Sequence, residues 1–135
     1  PVERTWSHYW YWRRRKEQLN KITVSFEQMF ADDGRWIRTY SLYADLLRYW
    51  RQAFPDMGVF FYDDLQNAPQ ALVKDLYGFI GVDPDFSPKT FRTVNKGSYD
   101  SMPTHIRNVL IRTYSEQVRD FSRMTGRDLS HWLQA

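Results

Sequence analysis

No cysteine occurs among the 135 residues. That excludes disulfides, thiolate metal sites and cysteine nucleophiles. Imidazole is scarce: His8, His105 and His131 are scattered along the chain, and no zinc-ligand spacing exists. No apolar run is long enough to span a bilayer, no signal-peptide pattern appears, and no N-x-S/T sequon occurs. A cytoplasmic location and no transmembrane segment are therefore expected. Repeats and low-complexity tracts are absent too. What the chain has is apolar content of 42% against 26% charged residues, which suits a globular unit rather than a disordered tail. Aromatics reach 18%, enough to furnish ligand-stacking faces as well as core. The net charge of +3 is carried mostly by arginine, whose planar fork suits phosphate or sulfate oxygens.

Helix signals dominate the pattern. Pro1 suits a first turn that needs no N–H, Glu3 favours that end of the dipole, and Arg13, Arg14, Arg15 and Lys16 favour the other. A helix is expected from Val2 to Gln18. Ser25 and Gln28 form a capping box that opens a short helix, ended by Asp32, Asp33 and Gly34. Leu42, Leu46, Leu47, Trp50 and Phe54 recur at helical spacing until Pro55. Pro69 starts another helix, with Leu72, Leu76, Phe79 and Ile80 on one face and Gly81 past its end. Ser87 with Pro88, and Ser101 to Pro103, are further entries. The last helix carries Ile106, Leu110, Tyr114, Val118, Phe121 and Met124. Gly126 caps it, and a final turn holds Trp132 and Leu133.

One segment reads differently. Gly58, Val59, Phe60, Phe61 and Tyr62 form an apolar run of β-formers bounded by turn residues, as in a buried parallel strand. A buried strand must pair its backbone, and one strand cannot do so alone. Its neighbours are therefore expected upstream of Pro1.

Four motifs carry chemistry or architecture. PVERTWSHY opens the chain, and Ser7 places a hydroxyl near the second turn, within reach of an anion at the helix N-terminus. Val59 to Leu65, followed by Asn67, Ala68 and Pro69, forms a strand-like run, an acidic turn and a proline-led helix. Asn95, Lys96 and Gly97 offer a point charge beside a residue that lets the backbone approach a phosphate. Thr125 to Trp132 reads as a helix stop, a capped turn and an anchoring Trp132. Tyr43, Leu47, Trp50 and Phe54 read as core.

In order and spacing these segments resemble the second half of sulfotransferases that use 3′-phosphoadenosine 5′-phosphosulfate (PAPS). Pro1, Glu3, Arg4, Ser7 and Tyr9 match the family's 3′-phosphate segment, although the arginine that precedes that segment would lie before Pro1. The C-terminal motif is similar to the ending of bacterial and carbohydrate-type members. The resemblance implies an α/β fold: the C-terminal, mostly helical part of a P-loop-like parallel-sheet domain, one partial domain over residues 1–135, without the N-terminal strands and the phosphosulfate loop. It implies sulfuryl transfer from PAPS to an acceptor hydroxyl or amine, leaving adenosine 3′,5′-bisphosphate. Ser7 would bind the 3′-phosphate, Tyr62 would sit by adenine, and Lys96 and Gly97 would close on phosphate. Asn95 departs from the arginine of the subgroup that has this loop. Arg4 is expected to be structural, and Asp63 and Asp64 to serve a turn and helix cap. No catalytic residue and no metal ligand is expected, and turnover by the 135 residues alone is not.

The implied partners are a small-molecule or carbohydrate acceptor and the N-terminal half of the same domain, with self-association through an open sheet edge as a further route. Two other readings compete. Trp6, Tyr9, Trp10, Tyr11 and Trp12 interleave with Arg13 to Lys16, as in a noncatalytic nucleotide- or nucleic-acid-binding module. The main reading expects no nucleic acid, because one aromatic face and one basic end already account for the pattern. Membrane-surface docking of the first helix is disfavoured, because its aromatics fall on several faces.

Overall fold

A computed structural model of the chain describes residues 1–32, 34–86, 88 and 99–134, with the backbone alone at 32 and 34–36. The described residues fall into two compact units, Pro1–Ala53 with Gly97–Ala135, and Phe54–Lys96.

The first unit is built on two long helices. Helix α1 spans Val2–Gln18 and buries Val2, Thr5, Trp6 and Tyr9, a stripe at the i, i+3, i+4, i+7 spacing. Two short helices follow, α2 (Phe26–Asp32) and α3 (Gly34–Thr39), and then α4 (Tyr43–Ala53). The Ser25 capping box forms: the Gln28 N–H donates to Ser25 Oγ at 3.2 Å, and the Ser25 N–H donates to Gln28 Oε1 at 3.1 Å. Gly34 was expected to end that helix, and instead it begins α3.

The second long helix of this unit, Thr104–Thr125, buries Ile106, Leu110, Tyr114, Val118 and Phe121 in one stripe. Both α1 and α4 pack on it. Its contact with α4 has an apolar centre at Leu47 and Ala44 and a polar rim. In that rim Arg48 pairs with Asp45 and Asp120, and Gln117 Nε2 donates to Asp45 Oδ2. Trp50 and Phe54, expected in the core, are exposed among the described residues.

Three buried hydroxyls cross the centre of this unit. Thr5 Oγ1 lies 2.9 Å from Tyr114 Oη and 3.0 Å from Ser41 Oγ. A hydroxyl can donate or accept, so the three satisfy one another where each would be costly to bury alone. Gly126 ends the long helix with φ of +68°, and the Arg127 N–H returns to the Ser122 carbonyl at 3.2 Å. A 3₁₀ turn at Ser130–Leu133 then seats Trp132 beside Tyr43 and Phe121, as the sequence motif suggested.

The second unit contains helices α5 (Tyr62–Asn67) and α6 (Pro69–Ile80), which pack on each other. With these named, the long helix Thr104–Thr125 is α7. Pro69 opens α6 as expected, and Gly81 closes it in the left-handed region at φ +75°. The Val82 N–H reaches the Tyr77 carbonyl at 3.0 Å, closing the helix end.

The expected strand is corrected here. Among the described residues no strand forms, and the architecture is helical. Residues 58–61 run between helices, with Phe61 extended at φ −105° and ψ 136°, and Tyr62 opens α5 instead of ending a strand. A strand exists only through paired neighbours, and among the described residues the backbone of Gly58, Val59 and Phe60 makes no hydrogen bond. The sheet edge expected to drive self-association is likewise not formed among the described residues.

Candidate functional site

Ser7 is the sixth residue of α1. The helix turns about 100° per residue, so burying Val2, Thr5, Trp6 and Tyr9 leaves Ser7 facing away from the core. Glu3, Trp10, Tyr11 and Arg14 share its side of the helix at offsets of three, four and seven residues. The Ser7 side chain is half-buried, and among the described residues its hydroxyl makes no hydrogen bond. A serine in mid-helix commonly bonds back to a carbonyl one turn earlier, as Thr113 does to Val109 here. Ser7 keeps its donor and acceptor capacity for something else.

The other residues of the same motif have structural tasks. Pro1 is the N-cap of α1. Glu3 pairs with Arg107 on α7. Arg4 donates to Ser41 Oγ at 3.4 Å and lies over the Tyr40 ring at 5.7 Å, which agrees with the structural role expected for it. Tyr9 is buried, donates to the Val24 carbonyl at 3.1 Å, and accepts from Arg13 at 3.0 Å. The motif is thus a helix anchored at several points, with one hydroxyl left over.

His8, which the sequence did not single out, sits half-buried beside Ser7. Trp12 Nε1 donates to His8 Nε2 at 2.8 Å, so that nitrogen carries a lone pair. Burial, and then the nearby Arg4 charge, hold its pKa below the ordinary histidine range. Both causes disfavour the charged ring. Only its i+4 spacing to Trp12 pointed to this in the sequence, and that spacing is too common to be informative.

In the second unit Tyr62 is the first residue of α5 and is 66% exposed. Among the described residues its ring and hydroxyl have no partner. Asp63 and Asp64 fill the first turn of α5, where the helix dipole favours carboxylates. They stand at the helix start as expected, but no side-chain cap bond is formed at the N-cap Phe61, so the expected capping role is not seen. Lys96 and Gly97 lie outside the described residues, as does Asn95.

The aromatic and basic residues of α1 do not form one stacking platform. Trp6 and Tyr9 are spent on the core, packing against Phe26 at 5.4 Å each. Trp10 is half-buried against Tyr99, and Arg13 is held by Glu17 and Tyr9. A shallow apolar cleft of about 160 Å³ lies where Phe26, Phe30 and Ala31 face Ile106 and Val109. It does not include Ser7. Among the described residues no cluster of histidine and carboxylate side chains suits a metal ion, and no helix is long and apolar enough to cross a membrane.

No protein-family model and no curated protein matches the sequence. A solved structure does match: a sulfotransferase from Alicyclobacillus acidocaldarius, at 24% identity and a TM-score of 0.76. The likeness covers 99% of this chain and 54% of that one, so the chain spans about half the length of its structural neighbour and shares its fold over that part.

Proposed function

We propose that the chain is the C-terminal part of a PAPS-dependent sulfotransferase domain, and that it supplies groups for the 3′-phosphate and adenine end of the nucleotide. The observation that carries this reading is the Ser7 hydroxyl. It is the one hydroxyl of the opening motif that makes no hydrogen bond among the described residues, on a fold shared with a sulfotransferase.

Each residue assigned to the nucleotide carries a group of suitable chemistry. Ser7 offers one O–H to a phosphate oxygen, carried on a backbone that the anchored α1 holds in place. An ordered backbone reduces the entropy lost when the anion arrives. Tyr62 offers an exposed aromatic face, and a purine gains on the order of 1–3 kcal/mol by stacking on such a ring. In the same reading Lys96 and Gly97 would add a charge and a backbone N–H.

Bound PAPS supplies a sulfuryl group that leaves the phosphate oxygen as a new bond forms to an acceptor hydroxyl or amine, the acceptor proton passing to a base. Transfer of this kind is governed by positioning and by donors around the moving oxygens. Neither the base nor the donors around the sulfuryl group are among the residues assigned above. The 135 residues alone are therefore expected to bind nucleotide without turnover.

The test is calorimetric titration of adenosine 3′,5′-bisphosphate, alongside radiolabelled sulfate transfer. Binding of the bisphosphate with preference over adenosine 5′-phosphate is expected. Equal affinity for the two nucleotides would remove the 3′-phosphate role, and robust transfer by the 135 residues alone would refute the division of labour.

A further inference from the structure

Ser7 is not the only donor on its side of α1 without an acceptor among the described residues. Trp10 Nε1 and Arg14 Nε are buried atoms, and neither makes a hydrogen bond there. The three residues follow at i, i+3 and i+7, so at about 100° per residue they lie within an arc of about 60°. An indole N–H and a guanidinium N–H can only donate. Burying a donor without an acceptor is costly, and more so when it carries charge. Two such groups side by side mark a place where an acceptor belongs, and the charge on Arg14 favours an anion.

The carboxylates of α1 do not supply that anion. Glu3 pairs with Arg107, and Glu17 pairs with Arg13. Asp100 gives its backbone carbonyl to Trp6 Nε1, and its carboxylate bonds neither orphan donor. The surroundings are positive instead. Arg13, Arg15 and Lys16 flank Arg14 in the sequence. Arg13 also lies over the Trp10 ring at 5.0 Å, so the indole donates from a positive field. Ser7 and Trp10 stand outside the first and last turns, where the helix dipole acts, so the attraction comes from side chains.

Residues three and four apart on a helix have Cβ atoms about 5–6 Å from each other. A long side chain at position 14 leans toward the helix N-terminus, over the turn that carries Trp10. Trp10 is fixed by its neighbours: it stacks on Tyr99 at 6.4 Å and meets Trp6 edge-on at 5.9 Å. A tetrahedral oxyanion accepts from several sides at once, so one such group suits a row of donors at this spacing. We propose that Trp10 Nε1 and Arg14 bind a phosphate- or sulfate-class oxyanion, in one row with Ser7. The proposal rests on the nucleotide reading above only for the source of that group. In that reading the source is the nucleotide's 3′-phosphate; the other source of the same chemistry is a free inorganic oxyanion.

Heteronuclear NMR of the 135-residue chain reads the Trp10 indole N–H directly, its peak identified by its loss in Trp10→Phe. Adenosine 3′,5′-bisphosphate, adenosine 5′-phosphate and sodium sulfate are titrated in turn. A saturable downfield move of that peak with the bisphosphate is expected, while the Trp12 indole, already bonded to His8, stays in place. A like move with sulfate, and binding of neither nucleotide, would support the donor row and remove the nucleotide reading. Arg14→Gln should weaken the ligand that moves the peak by about 10-fold or more, the scale for a hydrogen bond to a charged group. Arg14→Lys should recover part of that loss, because it restores the charge without the planar fork. A Trp10 peak that no ligand moves would overturn the proposal, whether or not the bisphosphate binds. Unaltered affinity in both Arg14→Gln and Trp10→Phe would overturn it too. Bisphosphate binding that Ser7→Ala still weakens would, in either of those cases, leave the nucleotide reading standing without this row.

Discussion

Replacing Thr5 with valine removes the hydroxyl that joins Tyr114 and Ser41 while keeping a branched side chain of similar size. Thr5 and Ser41 are fully buried, and so is Tyr114. Thr5 Oγ1 is bonded to both of the others, at 2.9 and 3.0 Å. Its loss removes two hydrogen bonds and leaves the remaining hydroxyls short of partners in a site water does not reach. A buried polar group left unsatisfied costs about 1–3 kcal/mol. Two groups are affected, but each has an alternative. Ser41 keeps the Arg4 guanidinium at 3.4 Å, and the Tyr114 hydroxyl is within the influence of Ser41. The expected loss for Thr5→Val is therefore about 2 kcal/mol, inside the range for one unsatisfied group rather than two. Tyr114→Phe removes one bond and leaves Thr5 paired with Ser41, so about 1 kcal/mol is expected. Urea unfolding followed by tryptophan fluorescence measures both. The double variant should lose less than the sum, because the two changes delete one shared bond. Strict additivity, or a Thr5→Val loss under about 0.5 kcal/mol, would refute the view that these hydroxyls act as one network.

Ser7→Ala should weaken adenosine 3′,5′-bisphosphate binding by about 1–3 kcal/mol, the scale for a hydrogen bond to a charged group, and leave the urea midpoint unchanged. Unaltered affinity in calorimetry would cancel the role given to Ser7. Tyr62→Ala should lower nucleotide affinity without lowering stability, since the ring is largely exposed; a fall in melting temperature would show that it is packing instead. Gly126→Ala should cost about 1–2 kcal/mol from left-handed strain alone, because an added Cβ meets nothing within 4 Å at φ +68°. Gly126→Asn should cost less in the same thermal melt. His8 gives a pH dependence with a definite sign. Its folded pKa is lowered, so the unfolded chain binds the extra proton first. Its contribution is present above the ordinary value of 6.5 and is lost as pH falls from there through the lowered folded value. His8→Gln should flatten the stability profile between pH 7 and 5; an unchanged slope would mean that burial does not hold His8 neutral.

The sequence by itself determined the local structure. Pro1, the Ser25 capping box, Pro69, Gly81 and Gly126 placed helix ends where they occur, because caps and left-handed turns depend on a few neighbouring residues. The stripe from Ile106 to Phe121 was legible for the same reason, since its periodicity is a property of the helix itself. The segment 58–61 was legible as extended and apolar, but not as a strand, because a strand is made by its partners. Trp50 and Phe54 show the same limit: they have core spacing, yet both are about half exposed, at 47% and 56%. Which residues of the opening motif are left for a ligand was decided only by tertiary structure. Glu3, Arg4 and Tyr9 are taken by Arg107, Ser41 and Val24, partners from 15 to 104 positions away. Distant pairings of that kind leave no periodic trace in the chain, so only the packed molecule reveals that Ser7 remains.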